Sequence, residues 1–321
     1  MTLLEENSLV PECIENSFQT IEEYSTSLKG LDLEEFQLSR GDFNGNSHVI
    51  SSESFKLGLR TAEADHLSHG HIDENHIAMI FPLKDQNYIY NGHIVDDSKQ
   101  ITGYCNTEGK IFFPAGHKHY TVLINKYNLP EYLKDDENEL FHQACIDSSN
   151  HKLSVSKKSS MTQSIDGIFK KFKYLMEHPC SLLAYKDCYD SLFYSLNQYY
   201  TAEQSKKPER ISNRERLLAR ALDFIHNSDI QTLTVSELVN STHASSRSLQ
   251  YCFSELMGIT PKAYLIRIRL NAIRKELLLS DPASETMTAI AHKYGVVNIG
   301  RFKQDYERFF NETPRETLSR R

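Results

Sequence analysis

Tryptophan is absent from this 321-residue chain, and no apolar run comes near the ~20 residues that a bilayer-crossing helix requires. No membrane partner is therefore expected. The six cysteines, Cys13, Cys105, Cys145, Cys180, Cys188 and Cys252, include no Cys-x-x-Cys pair. Neither a disulfide framework nor a zinc ribbon is signalled, and each reads as a small buried hydrophobe. A basic leader is missing as well: Met1-Thr-Leu-Leu-Glu-Glu is acidic where a secretion signal would be positive, so a cytoplasmic protein is expected. What is present, 39% hydrophobic and 25% charged residues, is enough for two full cores, since single cores rarely grow beyond roughly 250 residues.

Charge is divided unevenly. Residues 210–321 hold 17 Lys and Arg against 12 Asp and Glu, which leaves 19 against 31 for the first 209 residues of a chain whose net charge is −7. Only the C-terminal part is suited to approach a polyanion.

From about Phe36 to Asp147 short β-branched and aromatic runs alternate with turn residues: His48–Ile50, Phe55–Leu59, Ile77–Leu83, Tyr88–Tyr90, Gly92–Val95, Lys110–Phe113 and Tyr120–Ile124. Asn91-Gly92 and Glu108-Gly109 sit where hairpin turns are expected, and the segment reads as a small antiparallel barrel or sandwich. Between Thr162 and Tyr200 the period lengthens to between three and four. Ile165, Ile168, Phe169, Phe172, Leu175 and Met176 share one helical face; after Pro179, Leu182, Tyr185, Tyr189, Leu192, Leu196 and Tyr199 share another. This helical hairpin must bury its stripe against the β domain alone or against a second subunit as well, and pairing along Leu182–Tyr199 would make the protein a homodimer. The polar, proline-broken stretch Thr201–Ile211 is the expected linker. The expected organisation is thus residues 1–160 as a β-rich regulatory domain, 161–200 as the hairpin, 201–211 as linker and 212–321 as an all-α domain.

The last domain contains one pattern twice. Leu233-Thr-Val-Ser-Glu-Leu-Val, a polar break and Ser245-Ser-Arg-Ser-Leu-Gln-Tyr-Cys-Phe253 form the first copy; Met287-Thr-Ala-Ile-Ala-His-Lys-Tyr, a break at Gly295 and Asn298-Ile-Gly-Arg-Phe-Lys-Gln-Asp-Tyr306 form the second. Each is a short amphipathic helix, a tight turn and a longer capped helix, the helix-turn-helix plan. In the first, Thr234 or Ser236 and then Ser245 cap, leaving Ser246, Arg247, Gln250 and Tyr251 outward. In the second, Asn298 caps, Gly300 permits close approach, and Arg301, Lys303 and Gln304 face out. Arg pairs with guanine and Gln with adenine in the major groove, so Arg301 and Gln304 are assigned to bases, Lys303 and Arg308 to phosphates. Between the units Pro261 opens a long helix, Lys262 to Leu279, about 27 Å at 1.5 Å per residue, which carries Arg267, Arg269, Arg274 and Lys275; a cationic rod of that length could hold two heads roughly one duplex turn (34 Å) apart.

Residues 215–318 resemble the DNA-binding domain of the AraC/XylS family of bacterial transcription regulators, most clearly in Met257-Gly-Ile-Thr-Pro-Lys-Ala-Tyr-Leu-Ile-Arg-Ile-Arg-Leu-Asn-Ala and in Ile290-Ala-His-Lys-Tyr-Gly-Val-Val-Asn-Ile-Gly-Arg-Phe. The resemblance implies a seven-helix bundle, binding to double-stranded promoter DNA and usually activation through RNA polymerase, with an N-terminal domain that senses a small-molecule effector or dimerises. Tyr251 stands where many members carry Arg, and Val296 where they usually carry Phe. Upstream, His69-Gly-His71 with Glu74, and Gly109, Pro114-Ala-Gly116 and His119, resemble the two metal motifs of cupin barrels, but with Glu74 and Gly109 each one residue out of place and Leu123 in place of the expected Asn. The expectation is a cupin-like barrel without metal or other cofactor, a regulator rather than an enzyme. Two alternatives stay open: a ligand-independent regulator controlled by a partner protein, and a cupin-type metal enzyme fused to a DNA-binding module.

Overall fold

A computed structural model describes residues 10–28, 31–83, 87–95, 101–150, 158–178, 180–202 and 211–320; Pro179 and the expected linker residues 203–210 lie outside them. The N-terminal strands are β1 (Glu12–Phe18), β2 (Leu31–Gln37), β3 (Gly45–Ser51), β4 (Phe55–Ala62), β5 (His66–Ile72), β6 (His76–Pro82), β7 (Tyr88–Tyr90), β8 (His93–Val95), β9 (Ile101–Tyr104), β10 (Glu108–Phe113) and β11 (His117–Asn125), with a short helix α1 (Ile21–Ser25) after β1. They form two antiparallel sheets, one in the order β1-β3-β4-β11-β6-β9 and one in the order β2-β5-β10-β7-β8. Among the described residues the expected barrel is thus two facing sheets that hydrogen bonds do not join into a closed cylinder.

Local chemistry accounts for one hairpin and corrects another. Asn91 (φ 48°) and Gly92 (φ 80°) make the two-residue turn between β7 and β8, the left-handed pair such a turn demands. Glu108-Gly109, by contrast, opens β10; the turn before it contains Asn106 at φ 58°. Gly109 faces Gly70 across the β5–β10 pair, and a Cβ on it would lie 2.9 Å from the Tyr90 ring, so this glycine serves packing rather than turning.

Helices α2 (Asp135–Asn150), α3 (Lys158–Glu177) and α4 (Leu182–Ala202) cover the outer face of the larger sheet. One core joins Phe55, Leu57, Met79, Phe81, Tyr120 and Val122 of the strands to Ile165, Phe172, Tyr189, Leu192 and Leu196 of the hairpin. The apolar stripe on α4 is therefore spent inside the subunit. Each such side chain contributes about 1.5–3 kcal/mol by leaving water, so the stripe cannot also face a second copy without unpacking this layer.

The C-terminal domain comprises α5 (Asn213–His226), α6 (Val235–Thr242), α7 (Ser246–Met257), α8 (Pro261–Leu279), α9 (Met287–Lys293), α10 (Ile299–Phe310) and α11 (Pro314–Leu318). Ser212 with Glu215, and Thr234 with Glu237, form capping boxes; Ser245, Thr260, Thr286 and Asn298 cap the next four helices through their side-chain oxygens. Two cores result, α5 to α7 with the first part of α8, and α9 to α11 with the remainder of α8. The long helix is shared by both, which fixes one unit against the other.

Candidate nucleic-acid interface and sensory cavity

Apolar periodicity puts Leu249, Cys252 and Phe253 of α7, and Phe302, Tyr306 and Phe309 of α10, into the cores. The opposite faces are open: Ser246, Arg247, Gln250, Tyr251, Asn298, Gly300, Arg301, Lys303 and Gln304 are all exposed. Their local settings differ. Asn298 spends its side-chain oxygen on the Arg301 N–H at 2.9 Å, so it caps and holds the helix start rather than reaching outward. A Cβ on Gly300 would meet only that oxygen, at 3.5 Å, leaving the surface beyond it free for close approach. Arg301 lies 3.6 Å from Asp305 one turn on, a loose exposed pair that a base edge can displace. Tyr251 is covered on one face by the Arg214 guanidinium at 4.8 Å, and Arg214 also binds Glu255 at 2.7 Å. The aromatic ring thus stands in a defined orientation beside Gln250.

The cations of α8 do not form the free rod that the sequence suggests. Arg269 donates to the carbonyls of Ile230 and Leu233, and Arg267 to that of Leu38. Arg274 binds Glu22 at 2.8 Å and Glu312, and Lys275 binds Glu34 at 2.6 Å. They are consumed by protein contacts, two of them with acidic residues of the N-terminal domain, which leaves little of their charge for phosphates.

Through these contacts the C-terminal domain is docked on the smaller sheet. Asn271 lies against the edge strand β2, accepting from the Gln37 N–H at 2.9 Å and donating to the Gln37 carbonyl at 2.8 Å. Its amide stands in for a neighbouring strand and covers an edge that would otherwise be open. Leu67, Ile89, Phe36 and Phe112 on the outer face of this sheet join the core of α5 and α7. Glu215 reaches the Ile94 N–H at 2.9 Å, and Gly92 packs so tightly on Ala219 that a Cβ would lie 2.4 Å from its backbone.

The two sheets separate the histidines singled out in the sequence: His69 and His71 share one face of β5 in the smaller sheet, and His119 lies on β11 in the larger. His69 faces outward, hydrogen-bonded to Glu108 and with its ring centroid 5.1 Å from that of His226 on α5. His119 is wholly buried between the sheets, stacked on Phe113. The cupin ligand set is divided between the outer face of the smaller sheet and the space between the two sheets, and among the described residues no three His, Cys, Asp or Glu are placed to hold a metal ion.

Between the sheets lies a polar cluster that sequence reading missed. Arg60 and Glu35, with side chains 3% and 0% exposed, approach to 3.6 Å, and His66 lies 3.7 Å from the same carboxylate. Arg60 sits 3.9 Å over the Tyr24 ring and donates to the Tyr24 carbonyl at 3.1 Å. Burial pushes the Glu35 carboxyl up to about 7 and the His66 imidazole down to about 3; His117 and His119 are likewise driven down by burial, so these rings are neutral at ordinary pH. Beside Arg60 opens a cavity of about 60 Å³, walled by Leu31, Leu33, Ile80, Ile101, Ile111 and Phe113 and by the backbone of Gly70, Gly103 and Gly109. The signal was present in β4, where Arg60 alternates with Leu57 and Leu59, but a polar alternate position reads as solvent-facing unless both sides of the sheet are known to be covered.

A duplicated, capped helix pair of this kind defines a helix-turn-helix domain, and a helix-turn-helix domain family profile matches residues 238–320. The chain is similar to transcription regulators of the AraC/XylS type. It is 40% identical over 98 residues to a probable thc operon regulatory protein of Rhodococcus erythropolis, a match covering 30% of each protein. It is 28% identical over 245 residues to a XylDLEGF operon transcriptional activator of Pseudomonas putida, covering 69% of this chain and 71% of that one. The first two curated relatives are matched over about a third of their length. The crystal structure of the AraC-like activator CuxR aligns with 81% of this chain at 11% identity and a TM-score of 0.41.

Proposed function

We propose that this protein is a sequence-specific, effector-responsive transcription activator that reads two successive major grooves of promoter DNA with α7 and α10. Ser246, Arg247, Gln250 and Tyr251 form the first head; Gly300, Arg301, Lys303 and Gln304, oriented by Asn298, form the second. The observation that carries the reading is the repeated exposure of Arg and Gln on two capped helices whose other faces are locked into cores sharing α8. Effector response rests on β2. Leu31 and Leu33 line the cavity between the sheets, while Glu34 and the Gln37 backbone engage Lys275 and Asn271 of α8. A change of cavity contents therefore acts on a strand that also positions the rod between the two heads. Cytoplasmic residence, contact with RNA polymerase and a homodimer belong to the same reading; with the α4 stripe consumed internally, a second copy would pair through other surfaces, and sedimentation at micromolar concentration tests whether it does.

Selection of full-length protein against a pool of randomised duplexes tests the assignment. The expected product is a bipartite site whose halves are about 10–10.5 base pairs apart, centre to centre. Absence of any enriched sequence at moderate ionic strength would refute it.

A further inference from the structure

Of the exposed side chains at the first head, Tyr251 is the aromatic one, and 54% of it remains open to water. Its placement is fixed from behind. Leu249, Cys252 and Phe253 are buried, which sets the rotation of α7 about its axis, and the Cys252 thiol donates to the Arg214 carbonyl at 3.2 Å, tying α7 to the start of α5. Arg247 and Tyr251, four residues apart, lie one above the other on the open face, with Gln250 beside them. The Arg214 guanidinium covers one face of the Tyr251 ring, 4.8 Å from its centroid, and is itself anchored on Glu255 at 2.7 Å. The ring is thus backed by a cation whose charge is already paired within the protein, and among the described residues no second ring or cation packs on it.

The neighbouring side chains differ in what they can read. Arg247 and Gln250 offer hydrogen bonds to base edges, whereas the open face of the Tyr251 ring is apolar. In the major groove the apolar feature that tells one base from another is the C5-methyl group of thymine. We propose that Tyr251 is a specificity-determining residue of the first head, whose ring face opposite Arg214 packs on the C5-methyl group of one thymine, with Arg214 and Glu255 as positioning residues that hold the ring in that attitude. The proposal rests on the reading of α7 as a DNA-reading helix and names one base that it selects. A tyrosine free on the surface would lose side-chain freedom on entering the groove; this one has given it up in the folded protein. Covering one methyl group is worth about 0.8 kcal/mol, a roughly fourfold change in affinity. Since the methyl group is what is read, 5-methylcytosine, which carries the same group at the same ring position, substitutes for thymine in this contact.

Selection of randomised duplexes by the full-length protein and by Tyr251→Ala and Tyr251→Phe locates the base. The parent should prefer thymine at one position of one half-site and Tyr251→Phe should keep that preference. Tyr251→Ala should lose it there while the half-site read by α10 stays the same. Competition binding on the selected duplex then isolates the methyl group. Deoxyuridine in place of that thymine should weaken binding by the parent about fourfold and by Tyr251→Ala not at all, and 5-methylcytosine should bind the parent about fourfold better than cytosine. In Arg214→Ala the deoxyuridine penalty should fall below twofold, a ratio that a general loss of affinity or stability does not move, because both duplexes suffer alike; a full fourfold penalty there would remove the positioning role. An unchanged selected site in Tyr251→Ala, loss of the thymine preference in Tyr251→Phe, or equal binding of the thymine and deoxyuridine duplexes by the parent would overturn the proposal. Each of those results leaves a bipartite site standing, so the base assignment can fail while the regulator reading survives; absence of any enriched site would sink both.

Discussion

Replacing Asn271 with alanine removes the amide that covers the edge of β2. Two hydrogen bonds to the Gln37 backbone, at 2.9 and 2.8 Å, disappear. The Gln37 residue is 3% exposed, so water does not readily take their place. Two neutral hydrogen bonds contribute about 1 kcal/mol each, and stranding a buried donor costs on the order of 1 kcal/mol or more, giving a loss of about 3 kcal/mol in docking. That corresponds to a roughly hundredfold shift toward the undocked form. Hydrogen exchange of the Gln37 amide reads this directly, because its N–H is the donor in question: protection should fall about a hundredfold in Asn271→Ala, while amides in the β4–β11 pair change little. Lys275→Ala, which removes an exposed ion pair to Glu34 from the same interface, should leave Gln37 protection nearly intact. Exchange at Gln37 within threefold of the parent in Asn271→Ala would refute the claim that this amide holds the two domains together.

Arg301→Ala should cost on the order of 1–3 kcal/mol in DNA binding and relax preference at one base position, whereas Lys303→Ala should weaken all sequences alike and flatten the salt dependence, as competition binding across single-base variants would show. Equal, sequence-independent losses would contradict both assignments. Gly92→Ala should destabilise by more than about 1 kcal/mol in denaturant titration, because φ +80° disfavours a side chain and the added Cβ would meet Ala219 of the other domain. Stability should also fall as pH drops from about 6.5 toward 5. His66 and His226 are both held down to about 3 by burial, so the unfolded chain binds more protons than the folded one throughout that window, at roughly 2 kcal/mol per histidine at pH 5. Glu35, raised to about 7, works in the opposite sense, gaining stability as pH falls from 7 toward 4.5, but the buried histidines outnumber it. In His226→Gln the decline measured by thermal melts should be shallower; an unchanged slope would show that His226 is not buried neutral against Phe36 and Tyr264.

Much of the C-terminal domain is legible in the residues because its determinants are local. A Ser, Thr or Asn that accepts from the N–H three residues on starts a helix wherever it lies, and apolar residues at helical spacing reveal which face is inward. The residues proposed to read bases, such as Arg301 and Gln304, follow by exclusion, as the positions that neither cap nor pack. The β domain is less legible. The strands β1, β2, β5 and β9 escape notice, since His66-Leu-Ser-His-Gly-His-Ile72 and Leu31-Asp-Leu-Glu-Glu-Phe-Gln37 lack the β-branched alternation that marks a strand with one dry face. They lack it because the face between the sheets carries polar groups at one end.

The amino-acid order alone determined the doubled helix-turn-helix, its caps and the amphipathic hairpin, all set by contacts within a few residues along the chain. The packed molecule decided where each polar position goes. An Arg at an alternate strand position has the same sequence signature facing water or a cavity, and only the second sheet makes Arg60 internal. Positive charge on α8 likewise reads the same whether it meets phosphate or protein, until Glu22, Glu34 and the Leu38 carbonyl are brought against it. The tyrosine-rich stripe of α4 fits a partner subunit or a sheet equally well, and it was the apolar outer face of β4, β6 and β11 that covered it.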